Sequence, residues 1–169
     1  MIDLVNYTLS ILTIIAQIIV VFLIWVKINK NVAVEKFIQH KVLKLSFVVV
    51  LGSILGSLFY SIIAGYEPCV LCWYQRILLF PQIIILGLAL IKKDFSVRPY
   101  IKALSITGLI VSGYQSLLQM GLVPSIVCGA TTVSCAQRYF LTFGYITLPL
   151  MGFTAFALLA VLNWKTRNH

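Results

Sequence analysis

Long apolar runs separated by short polar segments make up most of this chain. Windows at Tyr7 to Val26, Leu45 to Ala64, Ile77 to Ile91, Ala103 to Gly121 and Tyr145 to Trp164 carry few or no charges. A helix that crosses the hydrocarbon core needs roughly 20 mainly apolar residues, so the pattern predicts five membrane-spanning helices. The third window is short, and reaches spanning length only when its helix starts at about Cys72, with Trp73, Tyr74, Gln75 and Arg76 in the first turn. Pro81 lies inside it, where proline removes one backbone bond and frees the carbonyl of Ile77. The resulting kink is expected to open space just under one membrane surface. In the second window Gly52 and Gly56 form a Gly-x-x-x-Gly with Ser53 and Ser57 alongside, a spacing that lets helices approach closely. Helix packing is its expected role.

Composition agrees with a membrane protein. Of the 169 residues 61% are apolar and 10% charged, and the mean hydropathy is +1.04, whereas soluble domains are about a quarter charged. The expected fold class is all-α: a polytopic bundle of four transmembrane helices plus one extra amino-terminal transmembrane helix. The corresponding units are 1–44 (extra helix and basic loop), 45–164 (four-helix domain) and 165–169 (tail). The opening Met-Ile-Asp-Leu lacks the positive n-region of a signal peptide, so the first helix is expected to be retained.

Charge sets the orientation. Eleven of the thirteen Lys and Arg residues fall in the segments Lys27 to Lys44 and Lys92 to Lys102 and in the tail. Short cytoplasmic loops collect such residues. The reading is amino terminus outside, carboxyl terminus cytoplasmic, and both cysteine-bearing segments outside. The net charge of +9 is then explained by inner-side lysines facing anionic lipid, and no nucleic acid is called for.

The candidate chemistry is in four cysteines. Cys69 and Cys72 form a Cys-x-x-Cys, and Cys128 and Cys135 stand in the next outer segment with six residues between them. Disulfides persist outside the cytosol. A ring closed over two intervening residues adds little chain-entropy stabilisation, but the spacing suits a reversible pair whose thiol pKa can fall below about 8.5. Cys72 sits near a helix amino terminus, and Arg76 follows one turn on over the same face. Two static bridges remain an alternative, as does a four-cysteine zinc site, which oxidation of the thiols would disfavour; no metal is expected. His40 and His169 fall on the inner side, away from this chemistry.

The run Pro68-Cys69-Val70-Leu71-Cys72-Trp73-Tyr74-Gln75-Arg76, with Pro81 after it and Pro124 to Cys128 and Cys135 later, resembles the signature of the bacterial disulfide bond formation protein B family. The short second loop is similar to its BdbC-like branch. The resemblance covers roughly residues 45–164 and leaves the first helix as an addition without an assigned role. It implies a membrane thiol-disulfide oxidoreductase of the bacterial cytoplasmic (inner) membrane, which re-oxidises a DsbA-like thioredoxin-fold donor and passes electrons to a quinone, ubiquinone or menaquinone. It further implies catalytic roles for Cys69, Cys72, Cys128 and Cys135. The partner would attack the Cys128–Cys135 disulfide, and electrons would pass through a transient Cys69–Cys135 bond to Cys72. The quinone would lie against Cys72, Gln75 and Arg76, with Tyr74 at its mouth. The competing classes are a vitamin K epoxide reductase-like enzyme, whose loop cysteines precede its Cys-x-x-Cys, and a non-enzymatic membrane subunit with structural disulfides.

Overall fold

The computed structural model describes residues 2–29, 32–124 and 134–164, with 32–40 described in backbone alone. Among the described residues five α-helices follow in order: α1 (Ile2–Ile28), α2 (Val32–Leu58), α3 (Val70–Lys92), α4 (Arg98–Gln119) and α5 (Leu148–Leu162). A π turn, Phe59–Ile63, extends α2, and a 3-10 turn, Phe95–Val97, leads into α4. Among the described residues the only β pairing is an isolated bridge between Thr142 and Ile146. Among the described residues four helices are long and apolar enough to cross a membrane, and α5 is a shorter apolar helix. The protein is an all-α, multi-pass membrane protein.

Consecutive helices from α2 to α5 pack side by side, and α5 returns to α2 to close a four-helix ring. The ring interior is apolar, with Val50, Leu86, Ile101, Phe156 and Leu159 essentially inaccessible. Gly108 on α4 allows the closest approach: a Cβ there would stand 2.3 Å from the Phe156 ring. Helix α1 lies outside the ring, mainly against α5 and more lightly against α2. Its contact face is a stripe of polar residues. Asn6, Ser10 and Thr13 are buried, Asn6 Oδ1 accepts from Tyr60 Oη at 2.9 Å, and Gln17 Nε2 donates to Thr154 Oγ1 at 3.3 Å. In lipid, side-chain hydrogen bonds of this kind help to hold helices together.

Two of the element boundaries differ from the pattern in ways that matter. The segment Lys27 to Lys44, expected as a connecting loop, is helical from Val32, with no Gly or Pro between Val32 and Lys44 to interrupt the helix. The fifth span starts at Leu148 rather than Tyr145. The tight turn at Phe143 and Gly144, both at positive φ, together with Pro149 in the first helical turn, fixes that start. At about 1.5 Å per residue its 15 residues span roughly 22 Å.

The two ends of the bundle are unlike. One end gathers Tyr60, Tyr66, Tyr139 and Phe140 in a stack, with Tyr7 edge-on to Phe143 and the described cysteines nearby. The other holds Lys102 over the Trp164 ring at 4.0 Å and Lys27 donating to the Trp164 carbonyl. The tail, 165–169, lies outside the described residues.

Candidate functional site

Pro68 cannot continue a helix backward, and Cys69 takes an extended conformation (ψ 171°) as the N-cap of α3. Its carbonyl receives the first helical bond from Trp73 N at 3.1 Å. The helix therefore starts at Val70, two residues before the expected Cys72, and the whole Cys-x-x-Cys forms its first turn. Cys69 and Cys72 stand as thiols with sulfurs 3.0 Å apart. Cys69 is buried and Cys72 half-buried. The Cys69 thiol is held far above its ordinary pKa range, first by its hydrogen bond with Cys72 and then by burial.

One side chain from another helix serves both sulfurs. Gln115, on α4 and 2% exposed, directs Nε2 at Cys69 Sγ (3.2 Å) and Cys72 Sγ (3.4 Å). Its Oε1 accepts from Gln75 Nε2 at 2.6 Å. Gly152 on α5 makes room for this arrangement, since a Cβ there would fall 2.5 Å from Gln75 Oε1. Three helices thus converge on the dithiol.

Arg76 is buried one turn below Cys72. Its Nε donates to Ser57 Oγ (2.8 Å), and its Nη2 donates to the Ser57 carbonyl (2.7 Å) and Ser61 Oγ (2.8 Å). These acceptors sit where α2 widens into the π turn, a feature common at functional sites. Trp73 packs against the guanidinium at 5.4 Å from ring centroid to Cζ.

Beside this constellation opens a cavity of about 440 Å³, lined by Cys72, Gln75, Arg76 and Gln115 at its polar end and by Leu79, Val48, Val49 and Leu158 beyond. That volume is within the range of about 300–1,000 Å³ usual for small-molecule sites. Tyr74 takes no part in the wall and is exposed. Pro81 lies within the continuous helix α3 and is likewise absent from the lining.

Cys135 is in a disulfide and 1% exposed, and it packs in one apolar cluster with Cys69, Leu71 and Leu118. Its segment is tied down at the carboxyl end of α4. Arg138 Nε and Nη2 both donate to the Gln119 carbonyl, Gln119 Nε2 donates to Gln137 O, and Tyr139 Oη donates to Glu67 O at 2.6 Å. The Tyr139 hydroxyl is pushed above its ordinary range by burial and then by negative charge on Cys72. Cys128 lies outside the described residues. Of the six residues expected at the site, the structure brings together Cys69, Cys72, Gln75 and Arg76 and places Cys135 in contact range of the same cluster.

The sequence has relatives among known proteins. The profile of a family described as "Disulfide bond formation protein DsbB" matches residues 39–165. The chain is 44% identical over 130 residues to the SPbeta prophage-derived disulfide bond formation protein B of Bacillus subtilis, covering 77% of this chain and 87% of that one. It is 36% identical over 119 residues to a probable disulfide formation protein C of Halalkalibacterium halodurans (70% and 87%). With a probable disulfide formation protein of Chlamydia pneumoniae the identity is 38% over 136 residues (79% and 96%). The chain belongs to the DsbB family. No solved structure matches it. Helix α1 lies wholly before the part of this DsbB-family chain that the profile matches.

The sequence does not single out Gln115, Ser61 or Gly152, and it marks Ser57 only as a packing residue beside Gly56. A signal existed for Gln115: Ser105, Gly108, Ser112, Gln115 and Gln119 recur at spacings of three and four through the fourth apolar window, and all five are buried. Polar side chains inside a span face the bundle interior and mark functional positions. Ser57 and Ser61 carry no such signal, because Ser57 beside Gly56 reads equally well as a packing residue and Ser61 stands alone among apolar residues.

Proposed function

We propose that this protein is a quinone-dependent protein-dithiol oxidase: it draws two electrons from an extracytoplasmic, DsbA-like thioredoxin-fold donor and delivers them through two cysteine pairs to a membrane quinone. The observation that carries the reading is Cys72 at the polar end of an apolar cavity, with Arg76 and Gln75 in the same wall.

The chain's residues divide the work. A donor thiolate attacks the loop disulfide at Cys128, forming a mixed disulfide and releasing Cys135 as thiolate. The donor's second thiol then displaces Cys128, so the donor leaves oxidised and the loop pair is reduced. Cys135, packed in the cluster that holds Cys69, attacks Cys69 in the Cys69–Cys72 disulfide and frees the Cys72 thiolate. Cys128 resolves the Cys69–Cys135 bond, which restores the loop disulfide and leaves Cys69 and Cys72 as the dithiol. Re-forming the Cys69–Cys72 bond releases two electrons and two protons into the cavity. Cys72, Gln75 and Arg76 would hold a quinone there, and it would supply the two-electron, two-proton acceptor.

The lining suits such an acceptor. Gln75 and Arg76 supply fixed donors beside the sulfur, of the kind that stabilise developing negative charge, and the remaining wall is hydrocarbon. Energetics point the same way. The donor of the established DsbA–DsbB–quinone system has a known potential of about −120 mV, and each 30 mV uphill costs about 1.4 kcal/mol for two electrons. A lipid-soluble oxidant meets this requirement and glutathione does not. The separation of lysines from the cysteine end supports an amino terminus and cysteine segments outside and a cytoplasmic carboxyl terminus, in a bacterial cytoplasmic membrane.

The test is oxidation of a reduced DsbA-like donor by the purified chain, followed by thiol trapping with and without added quinone. Turnover that needs quinone and stops with Cys72→Ala is expected. Donor oxidation that is indifferent to quinone, or four cysteines that stay locked against the donor, would refute the reading.

A further inference from the structure

We infer that α1, the helix before the family unit, forms with α2 the slot that holds the hydrophobic tail of the quinone. The inference rests on the quinone reading of the cavity and assigns the cavity's far half.

Leu9, Leu12, Thr13 and Ala16 of α1 line the cavity together with Val48, Val49, Gly52 and Gly56 of α2. The Gly-x-x-x-Gly of α2 was expected to clamp a neighbouring helix. Instead a Cβ at Gly52 would meet nothing within 4 Å, and one at Gly56 would meet only Leu9 Cδ1 at 3.9 Å. The small residues here widen a gap between two helices.

The gap is chemically blank. Thr13 and Ser53 are polar residues in its wall, and both hydroxyls are turned to their own helix, Thr13 Oγ1 to Leu9 O at 2.7 Å and Ser53 Oγ to Val49 O at 2.8 Å. What remains is methyl, methylene and glycine surface leading away from Cys72 and Arg76. A flexible hydrocarbon chain attached to a polar ring fits that gradient. The position of α1 is also fixed: Asn6 is held by Tyr60, Gln17 donates to Thr154, and Tyr145 donates to Gln17 Oε1 at 3.1 Å. These bonds fix α1 to the end of α2 and to α5 and leave Gly52 facing open space.

The test compares two probes on the purified full-length chain with its cysteines oxidised, so that binding is read without turnover. Calorimetry measures the affinity of tail-less dimethoxy-methyl-benzoquinone and of the same ring bearing a decyl tail. The ratio of the two affinities is the readout. In one detergent, partitioning of the tail is common to all variants and cancels between them. Gly52→Leu and Leu12→Trp both fill the slot; Leu12 is more than half exposed, so its replacement leaves the core untouched. Ile18→Trp, on the lipid face of α1, is the control. Each methylene removed from an apolar contact weakens binding about fourfold, so losing several should cut the tail preference by roughly tenfold or more. The expected result is that loss in both slot variants, with the tail-less probe and the control unchanged. If both probes bind wild-type protein and the slot variants keep the full tail preference, the tail lies elsewhere and the inference falls while the quinone reading stands. If neither probe binds wild-type protein, the quinone reading fails and the slot assignment with it.

Discussion

Replacing Gln115 by leucine removes one nitrogen that reaches two sulfurs while keeping the side chain's approximate size. In the wild-type chain Gln115 Nε2 lies 3.2 Å from Cys69 Sγ and 3.4 Å from Cys72 Sγ, in a site where Gln115 is almost inaccessible. The bond exists in the reduced pair, where sulfur carries negative charge, and has little to act on in the disulfide. Hydrogen bonds to charged groups contribute about 1.5–3 kcal/mol, and sulfur at these distances belongs at the low end. Losing about 1.5 kcal/mol from the reduced form alone makes the pair harder to reduce by roughly 30 mV. The sign is fixed: the potential of Cys69/Cys72 should become more negative in Gln115→Leu. Equilibration of the purified chain in graded dithiol buffers, with acid trapping and mass analysis of the Cys69–Cys72 peptide, reads this directly. A potential within about 10 mV of wild type, or one shifted to more positive values, would show that Gln115 does not act on the thiolate state and would leave it a packing residue.

Arg76→Lys should retain charge yet lose most donor turnover, because one ammonium cannot reproduce the Nε and Nη2 bonds to Ser57 and Ser61; a fall of roughly 10²-fold is expected in steady-state assays, and near wild-type rates would remove Arg76 from the site. Gly108→Ala drives a methyl into the Phe156 ring, so a loss of about 1–3 kcal/mol is expected as a lowered thermal midpoint in detergent; an unchanged midpoint would mean that Phe156 can turn aside. The raised pKa of Cys69 keeps its thiol protonated to higher pH, and only the thiolate reacts. Alkylation of reduced Cys69 should therefore climb roughly tenfold per pH unit without levelling off up to about pH 9. In Cys72→Ser the principal cause of the shift is altered and Cys69 should react faster at neutral pH, whereas identical profiles would sever the link between the two sulfurs.

The apolar windows located all five helices, since length and hydropathy alone decide what can cross a bilayer. The Cys-x-x-Cys, Gln75 and Arg76 were legible for a similar reason: they are adjacent in sequence and fall on one helical turn. What could not be read was whatever depended on how helices face each other. Gln115 meets Cys69 across 46 residues, and nothing local announces which polar residue of the fourth span turns toward the thiols. The Gly52–Gly56 spacing was legible as a motif and misleading as a contact, because small residues permit close approach without compelling it. Similarly, α1 looked like a plain apolar span. Its stripe Asn6, Ser10, Thr13, Gln17 has the period of a helix face, but only the docked structure shows that this face meets Tyr60 and Thr154.

That docking imposes an order of assembly. The principal neighbour of α1 is α5, and Gln17 finds Thr154 only 137 residues later in the chain. At synthesis rates of about 5–20 residues per second, the wait lasts roughly 7–27 s. During that interval α1 sits in the bilayer with Gln17 lacking its final partner, free to be met by an insertion factor or by a neighbouring nascent helix. A helix made before α2 to α5 is thus among the last to find its place, and biogenesis is where a fault in it would be felt first.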